Sequence, residues 1–266
     1  MFESVLNLRR QKPLIHCITN PISINLCANG LLALGAQPIM AEHPAEVEAI
    51  TSGAAGLLLN LGNITDARMV SMKLAVAAAK TKNLPILVDA VGIACSTLRR
   101  DYLTELLDIT IPTVIKGNYS EIQALYRQEH HTAGVDADTG LSTGLLDHST
   151  MALARQYGTI ILASGKTDIV TDGFRLVHIH NGTPQLTAIT GTGCLLGAVG
   201  TACLAVQPDM EAIIAACATL GICAQQAHSP HGTGTFMANL LDALSTLHFR
   251  DLEKNLNMEE IHLENI

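Results

Sequence analysis

Apolar residues in this chain fall into two alternating rhythms. Short, near-continuous apolar runs at residues 14–19, 37–40, 56–60, 85–89, 113–116 and 159–163 predict buried strands. Between them, residues 23–34, 45–52, 66–81, 120–127 and 148–157 are amphipathic or alanine-rich and predict helices. Strands that are apolar on both faces, joined by helical crossovers, belong in a parallel sheet covered on both sides. The rhythm changes after residue 167. Residues 168–171, 175–180 and 185–189 are shorter runs, separated by Asp172-Gly173 and Asn181-Gly182, dipeptides that favour tight hairpin turns. They predict an antiparallel section on one edge of the sheet. Beyond Cys194 the pattern is helical almost to the end, and the polar stretch 128–143 reads as a surface excursion rather than a linker. The expectation is a single α/β domain over residues 1–266.

Composition narrows the class. With 48% hydrophobic and 15% charged residues, the chain has enough apolar surface to fold and is not a disordered protein. No apolar run reaches the roughly 18 residues a membrane-spanning helix needs. The first residues carry Glu3 ahead of Arg9 and Arg10 and lack the apolar core of a signal peptide. Seven scattered cysteines, an odd number, read as reduced thiols and place the protein in the cytoplasm. A net charge of −8 and the absence of tryptophan argue against a nucleic-acid-binding surface. An acidic chain that bound a nucleotide would have to make its site locally positive with a metal, a helix end and a few lysines.

One segment offers such a helix end. Thr190-Gly191-Thr192-Gly193-Cys194 runs into the small, apolar stretch Leu195-Leu196-Gly197-Ala198-Val199. Two glycines permit a tight turn, and the opening turn of a helix leaves several backbone N–H groups converging at its positive end. A plain helix entry with a buried cysteine fits the same residues. Ligands of open α/β sheets bind at the carboxyl ends of the strands, and polar residues cluster there: Asn20, Asp89, Lys116-Gly117-Asn118 and Ser164, with Glu121 one turn into a helix. Singly, Asp89 and Glu121 also fit ordinary helix-end electrostatics. Together, two carboxylates, a lysine and an anion-binding turn supply what phosphoryl transfer requires. Carboxylates can hold Mg²⁺ through water, and the lysine can meet a phosphate as a point charge.

These pieces resemble, in order and over nearly the whole chain, the hydroxyethylthiazole kinase family of the ribokinase-like superfamily. The resemblance rests on Ile18-Thr19-Asn20 with Asn25 and Ala28-Asn29-Gly30, then Leu34-Gly35-Ala36 leading to Pro38-Ile39-Met40. It continues through Asp89-Ala90-Val91-Gly92, Lys116-Gly117-Asn118 with Glu121, Ser164-Gly165, and Gly191-Thr192-Gly193-Cys194. It implies a ribokinase-like fold and ATP-dependent phosphorylation of 4-methyl-5-(2-hydroxyethyl)thiazole, with Mg²⁺, in thiamine biosynthesis or salvage. It also implies a homotrimer with active sites between subunits. By position, Gly191 and Gly193 correspond to the anion hole. Cys194 stands where most ribokinase-like kinases carry an aspartate base. Asp89 and Glu121 correspond to the metal-organising acids, Lys116, Asn118 and Ser164 to ATP contacts, and Asn20, Asn25, Met40 and Gly191 to the thiazole pocket, with Met40 at the subunit interface.

The chain departs from the family pattern where Lys116 replaces the frequent arginine, keeping the charge but losing the planar two-pronged contact. Ala90 follows Asp89 where proline is common, and Ser164 stands where threonine is frequent. A hydroxymethylpyrimidine kinase and a nucleotide-dependent hydrate dehydratase are the alternatives on this scaffold, and the second would want an aspartate at position 194. Elsewhere, His178 and His180 alternate along a strand without a third metal ligand at plausible spacing and read as an exposed strand face. The remaining cysteines, Cys95 among them, read as small buried residues.

Overall fold

The computed structural model describes residues 2–130 and 143–261. Its elements follow the chain as α1 (Glu3–Gln11), β1 (Leu14–Ile18), α2 (Ile24–Leu34), β2 (Gln37–Ile39), α3 (Val47–Gly53), β3 (Gly56–Asn60) and α4 (Asp66–Lys82). They continue with β4 (Ile86–Asp89), α5 (Thr97–Ile109), β5 (Val114–Asn118), α6 (Tyr119–His130), α7 (Thr143–Tyr157), β6 (Ile160–Ser164), β7 (Asp168–Thr171) and β8 (Leu176–Ile179). The last part comprises α8 (Thr192–Val206), α9 (Met210–Gln226), α10 (Thr233–Ser245), α11 (Phe249–Asn255) and β9 (Met258–Glu260).

The strands form one sheet in the order β2-β1-β3-β4-β5-β6-β7-β8-β9. Those from β2 to β6 are parallel, and β7, β8 and β9 join antiparallel. This is the predicted architecture, a parallel sheet with an antiparallel edge. Because β1 is flanked by β2 on one side and β3 on the other, the chain reverses direction there, and the carboxyl ends of β1 and β3 open a crevice.

Alternation along the strands divides the interior into two cores. Leu58, Leu87, Val114 and Leu162 face α1, α2, α8 and α9. Leu57, Leu59, Ile86, Val88 and Ile115 face α4, α5, α6 and α7. At about 1.5–3 kcal/mol for each fully buried leucine or isoleucine, these faces dominate the folding energy. α8 is apolar all round, so it must be enclosed, and every residue from Leu195 to Leu204 is buried. It lies tight on the sheet because Gly197 and Gly200 have no side chain: a Cβ on Gly200 would stand 3.1 Å from Leu87, and one on Gly197 3.4 Å from Leu58.

Local capping sets several boundaries. Thr65 accepts the Arg68 N–H at the start of α4, and Asn83 ends that helix in the left-handed conformation. Ser96 caps α5, an element in a stretch where the apolar pattern alone assigns none.

One predicted strand is absent. Residues 185–188 belong instead to a short 3₁₀ helix, Pro184–Ala188, followed by the extended Ile189 and opened by Thr183, whose hydroxyl accepts the Gln185 N–H. Asn181-Gly182 therefore turns the chain away from the sheet rather than making a hairpin. Pro184 favours this, having no N–H for a ladder and a φ suited to a helical first turn. The third antiparallel strand is β9, from the far end of the chain, whose three residues carry no local signal. Of the polar stretch 128–143, residues 131–142 lie outside the described residues.

Candidate active site

Three polar residues form a row at the carboxyl ends of neighbouring strands. Asn60, Asp89 and Lys116 are register partners on β3, β4 and β5, so the pleat directs their side chains to one face of the sheet. That face is the one α8 covers, since Asp89 Oδ2 is 3.6 Å from the point a Cβ on Gly197 would occupy. Lys116 Nζ donates to Asp89 Oδ1 at 2.9 Å, and Asn60 Nδ2 donates to Asp89 Oδ2 at 3.0 Å. Asp89 is 1% exposed and Lys116 3%. Burial drives the Lys116 pKa down, but the Asp89 carboxylate against it prevails and holds the ammonium above its ordinary value.

The row reaches Cys194 through two amides. Asn20 Nδ2 and Asn60 Nδ2 each stand 3.2 Å from Cys194 Sγ. Their orientation is settled by backbone donors: Ser23 N–H requires an acceptor at Asn20 Oδ1, and Gly62 N–H one at Asn60 Oδ1. Both Nδ2 groups therefore donate toward the sulfur, which leaves any S–H of Cys194 to point away from them. Asn60 escaped the sequence reading. Its one signal is a polar residue closing the otherwise apolar, fully buried strand Gly56–Asn60.

The glycine turn stands beside this network. Gly191 has φ +91° and precedes the first residue of α8, and its carbonyl accepts the Leu195 N–H at 2.8 Å. The amides of Thr192, Gly193 and Cys194 open the helix and have no intrahelical acceptors. A cavity of about 600 Å³ adjoins them, lined by Ser164, Gly165, Asp168, His180, Thr192 and Gly193 among others. Its volume lies in the range typical of cofactor and nucleotide sites.

Glu121 serves a second loop. Its Oε1 accepts the Gly92 N–H and its Oε2 the Asn118 N–H, both at 2.7 Å, while Asn118 Oδ1 accepts the Glu121 N–H at 2.9 Å. This reciprocal box caps α6 and binds the loop after β4 to it. A carboxylate has about four lone-pair positions, so Asp89 and Glu121 each retain acceptor capacity for a water-bound cation.

The structure thus gathers Asn20, Asp89, Lys116 and Cys194 into one network and places Ser164 and Gly193 on the cavity wall. Met40 is half-buried against the α2–α8 core, and Asn25 is exposed on α2, where its hydrogen bonds run to Asn29. Two sequence readings are corrected. His178 is not on an exposed face: α7 covers that side of β8, and Asp147 Oδ1 lies 2.7 Å from His178 Nε2. Cys95 is exposed, in the loop between β4 and α5, whereas Cys17, Cys27, Cys203, Cys217 and Cys223 are buried.

Asp168, the first residue of β7, stands at the cavity wall. Burial pushes its pKa up to about 6, against the Gly165 N–H that donates to it at 3.0 Å. A folded-state pKa above the unfolded one means that protein stability falls as pH rises through this interval and levels off above about 6. Asp168→Asn keeps an acceptor for Gly165 and removes the charge. It is expected to be more stable than wild type above pH 6 by on the order of 1 kcal/mol, after discounting for partial exposure. The advantage should shrink toward zero as pH falls below 5, and melting curves across that range check it; a gap independent of pH would refute it.

A mostly parallel sheet whose carboxyl ends present a lysine–carboxylate pair beside a glycine turn at a helix start defines a ribokinase-like kinase. Solved structures agree on the fold: the pyridoxal kinase from Staphylococcus aureus in complex with ADP superimposes with a TM-score of 0.68 at 14% identity, covering 94% of this chain and 99% of that one. The chain belongs to the hydroxyethylthiazole kinase family, whose model matches residues 5–250. It is 40% identical over 246 residues to "Hydroxyethylthiazole kinase 2" of Clostridium botulinum (strain Hall), covering 91% of this chain and 93% of that protein. It is 37% identical over 261 residues to the hydroxyethylthiazole kinase of Finegoldia magna, covering 98% and 97%. The structure of the hydroxyethylthiazole kinase from Pyrococcus horikoshii OT3 matches with a TM-score of 0.90 at 31% identity, covering 98% of both chains.

Proposed function

We infer that the protein transfers the γ-phosphoryl group of ATP to the hydroxyl of 4-methyl-5-(2-hydroxyethyl)thiazole, within thiamine biosynthesis or salvage. The observation that carries this reading is Cys194, in the opening turn of α8, held within hydrogen-bond reach of the buried Asn60–Asp89–Lys116 row. In the reaction the substrate oxygen bonds to the γ-phosphorus, the bond to the ADP oxygen breaks, and the hydroxyl proton leaves. The amides of the Gly191 turn would stabilise the negative charge that collects on the transferring group. Cys194, at the third helical position, is placed to receive the hydroxyl proton. Lys116, paired with Asp89, offsets part of the polyphosphate charge from beneath the turn. Asp89 and Glu121 would hold Mg²⁺ through water, and the ion when bound would neutralise phosphate charge.

The cavity beside Ser164 and Gly193 suits the nucleotide, with Asn118 at the start of α6 close to the same strand ends. Asn20 and Met40 are assigned to the thiazole, together with Asn25 and Gly191. Met40 and the exposed Asn25 would gain their contact from an adjoining subunit of a homotrimer. The exposure of Ile22 (67%), in the turn before α2, and of Leu32 (57%), in its last turn, supports a subunit contact there. One continuous sheet, with strands from residue 14 to residue 260, supports a single kinase domain over 1–266. The cytoplasmic reading is supported by seven free cysteines; among the described residues no helix is long and apolar enough to cross a membrane. A hydroxymethylpyrimidine kinase is not favoured by the family match, nor a hydrate dehydratase by cysteine at position 194.

A coupled assay of ADP release with the thiazole alcohol and with the pyrimidine alcohol tests the reading on one preparation, whose light scattering is expected to report three chains. Turnover with the thiazole is expected to exceed that with the pyrimidine by at least about 10²-fold, on the scale at which a pocket separates ring shapes. Turnover with the pyrimidine alone would overturn the assignment.

A further inference from the structure

We propose that His178, His180 and Glu259 form a binding site for a divalent transition metal of the zinc type at the antiparallel edge of the sheet. His178 lies on β8 and His180 one residue beyond its end, so the two-residue period places both imidazoles on one side. Glu259 is the register partner of His178 on β9 and joins them there. One ligand atom from each lies within 4.8 Å of those of the other two. His180 Nε2 is 3.3 Å and His178 Nδ1 3.6 Å from Glu259 Oε1. Two ligands bound at about 2.0–2.1 Å with a tetrahedral angle stand about 3.3 Å apart, so these separations need only small adjustment around an ion.

The outer partners are an independent observation. Each imidazole has its other nitrogen engaged: His178 Nε2 faces Asp147 Oδ1 at 2.7 Å, and His180 Nδ1 faces Thr167 Oγ1 at 3.2 Å. Without an ion the imidazoles donate toward Glu259; with one bound, Asp147 and Thr167 would accept the N–H groups of His178 Nε2 and His180 Nδ1, leaving His178 Nδ1 and His180 Nε2 to ligate beside Glu259. A carboxylate behind a metal-binding histidine fixes its tautomer and raises its basicity. Asp147 is itself buried on α7, so this partner is held by the fold and not by a mobile surface side chain. Two imidazoles and one carboxylate suit zinc, cobalt or nickel, and do not suit magnesium, which prefers an all-oxygen shell. With three protein ligands a fourth position remains for water. The ion would tie the C-terminal strand β9 to the sheet.

The test is titration of the full-length, untagged protein with Co²⁺, followed by its visible d–d absorption, with Zn²⁺ competition. One equivalent of Co²⁺ is expected to give a tetrahedral or five-coordinate spectrum without a near-ultraviolet thiolate band, bleached by Zn²⁺. His180→Ala and Glu259→Gln alter half-buried and exposed side chains and should keep the metal-free melting temperature. Each is expected to weaken binding at least tenfold, and Asp147→Asn by about 10- to 100-fold. Zn²⁺ should raise the melting temperature of wild type and not of the first two variants. Equal Co²⁺ affinity in wild type and in folded His180→Ala, no binding by wild type, or a thiolate band marking the free cysteines as ligands would each overturn the proposal.

Discussion

Gly191→Val is expected to abolish turnover, whereas Cys194→Ala leaves a measurable rate. Gly191 holds φ +91°, a conformation that a β-branched residue occupies only at a cost of about 1–3 kcal/mol. A Cβ there would also stand 3.2 Å from Ser23 Cβ, closer than packing comfortably allows. The backbone relieves both by rotating, and rotation redirects the amides of Thr192, Gly193 and Cys194. Each preorganised donor of this kind is worth about 10²–10³ in rate, so losing the aim of two or more compounds past 10⁴. General-base help from Cys194 is worth only about 10²–10⁴, and phosphoryl transfer relies mainly on positioning and charge neutralisation. Steady-state kinetics on both variants, with circular dichroism to confirm folding, separate the two effects. Equal and total loss in both folded proteins would overturn this ranking of the turn above the thiol.

Asp89→Ala is expected to be the most destabilising single change at the site. Lys116 is 3% exposed, and Asp89 is its ion-pair partner at 2.9 Å. Breaking a buried pair from one side leaves an uncompensated charge and costs about 3–5 kcal/mol. Asn60 also loses its acceptor at Asp89 Oδ2, which frees the amide that orients Cys194. Chemical denaturation should show the loss, and activity should be absent. The double variant Asp89→Ala with Lys116→Met removes both charges. It is expected to recover more than half of the lost stability while remaining inactive, because the pair serves the chemistry more than the fold. A double variant no more stable than Asp89→Ala would mean that Lys116 is not stranded by the loss of Asp89.

Much of this site is legible in the chain itself because parallel sheets advertise their ligand-binding ends. Asp89 and Lys116 each follow a run of buried apolar residues, and although either alone fits a helix-end role, their joint placement at neighbouring strand ends is the signal. Asn60 closes β3 in the same way, yet an asparagine at a strand end is too common to stand out. Only the register of β3 beside β4 reveals that its amide bridges Asp89 and Cys194. Asp168 and Cys217 share the cavity wall, but their sequence separation conceals it. Met40 and Asn25 rest on the family resemblance, since neither reaches the Cys194 network within one chain.

The histidine pair shows the limit of local pattern more sharply. The spacing of His178 and His180 places them on one side of a strand, and nothing nearby completes a ligand set. Glu259 arrives from β9, about eighty residues away, and Asp147 from α7. Likewise, residues 185–189 have the apolar content of a strand, but Pro184 cannot join a ladder, so β9 takes the edge beside β8.

By itself, the sequence determined the parallel α/β scaffold, the glycine turn ahead of α8 and the charged residues at the strand ends. These follow from short-range physics: hydrophobic period, turn conformation and helix-end electrostatics act over a few residues. Only the tertiary structure decided that Asn60 and Asn20 aim their amides at Cys194, that Lys116 is committed to Asp89, and that the edge strand comes from the far end of the chain. Those outcomes depend on strand order and register. Both are set by which apolar faces can be buried together, and no local window of the chain contains that information.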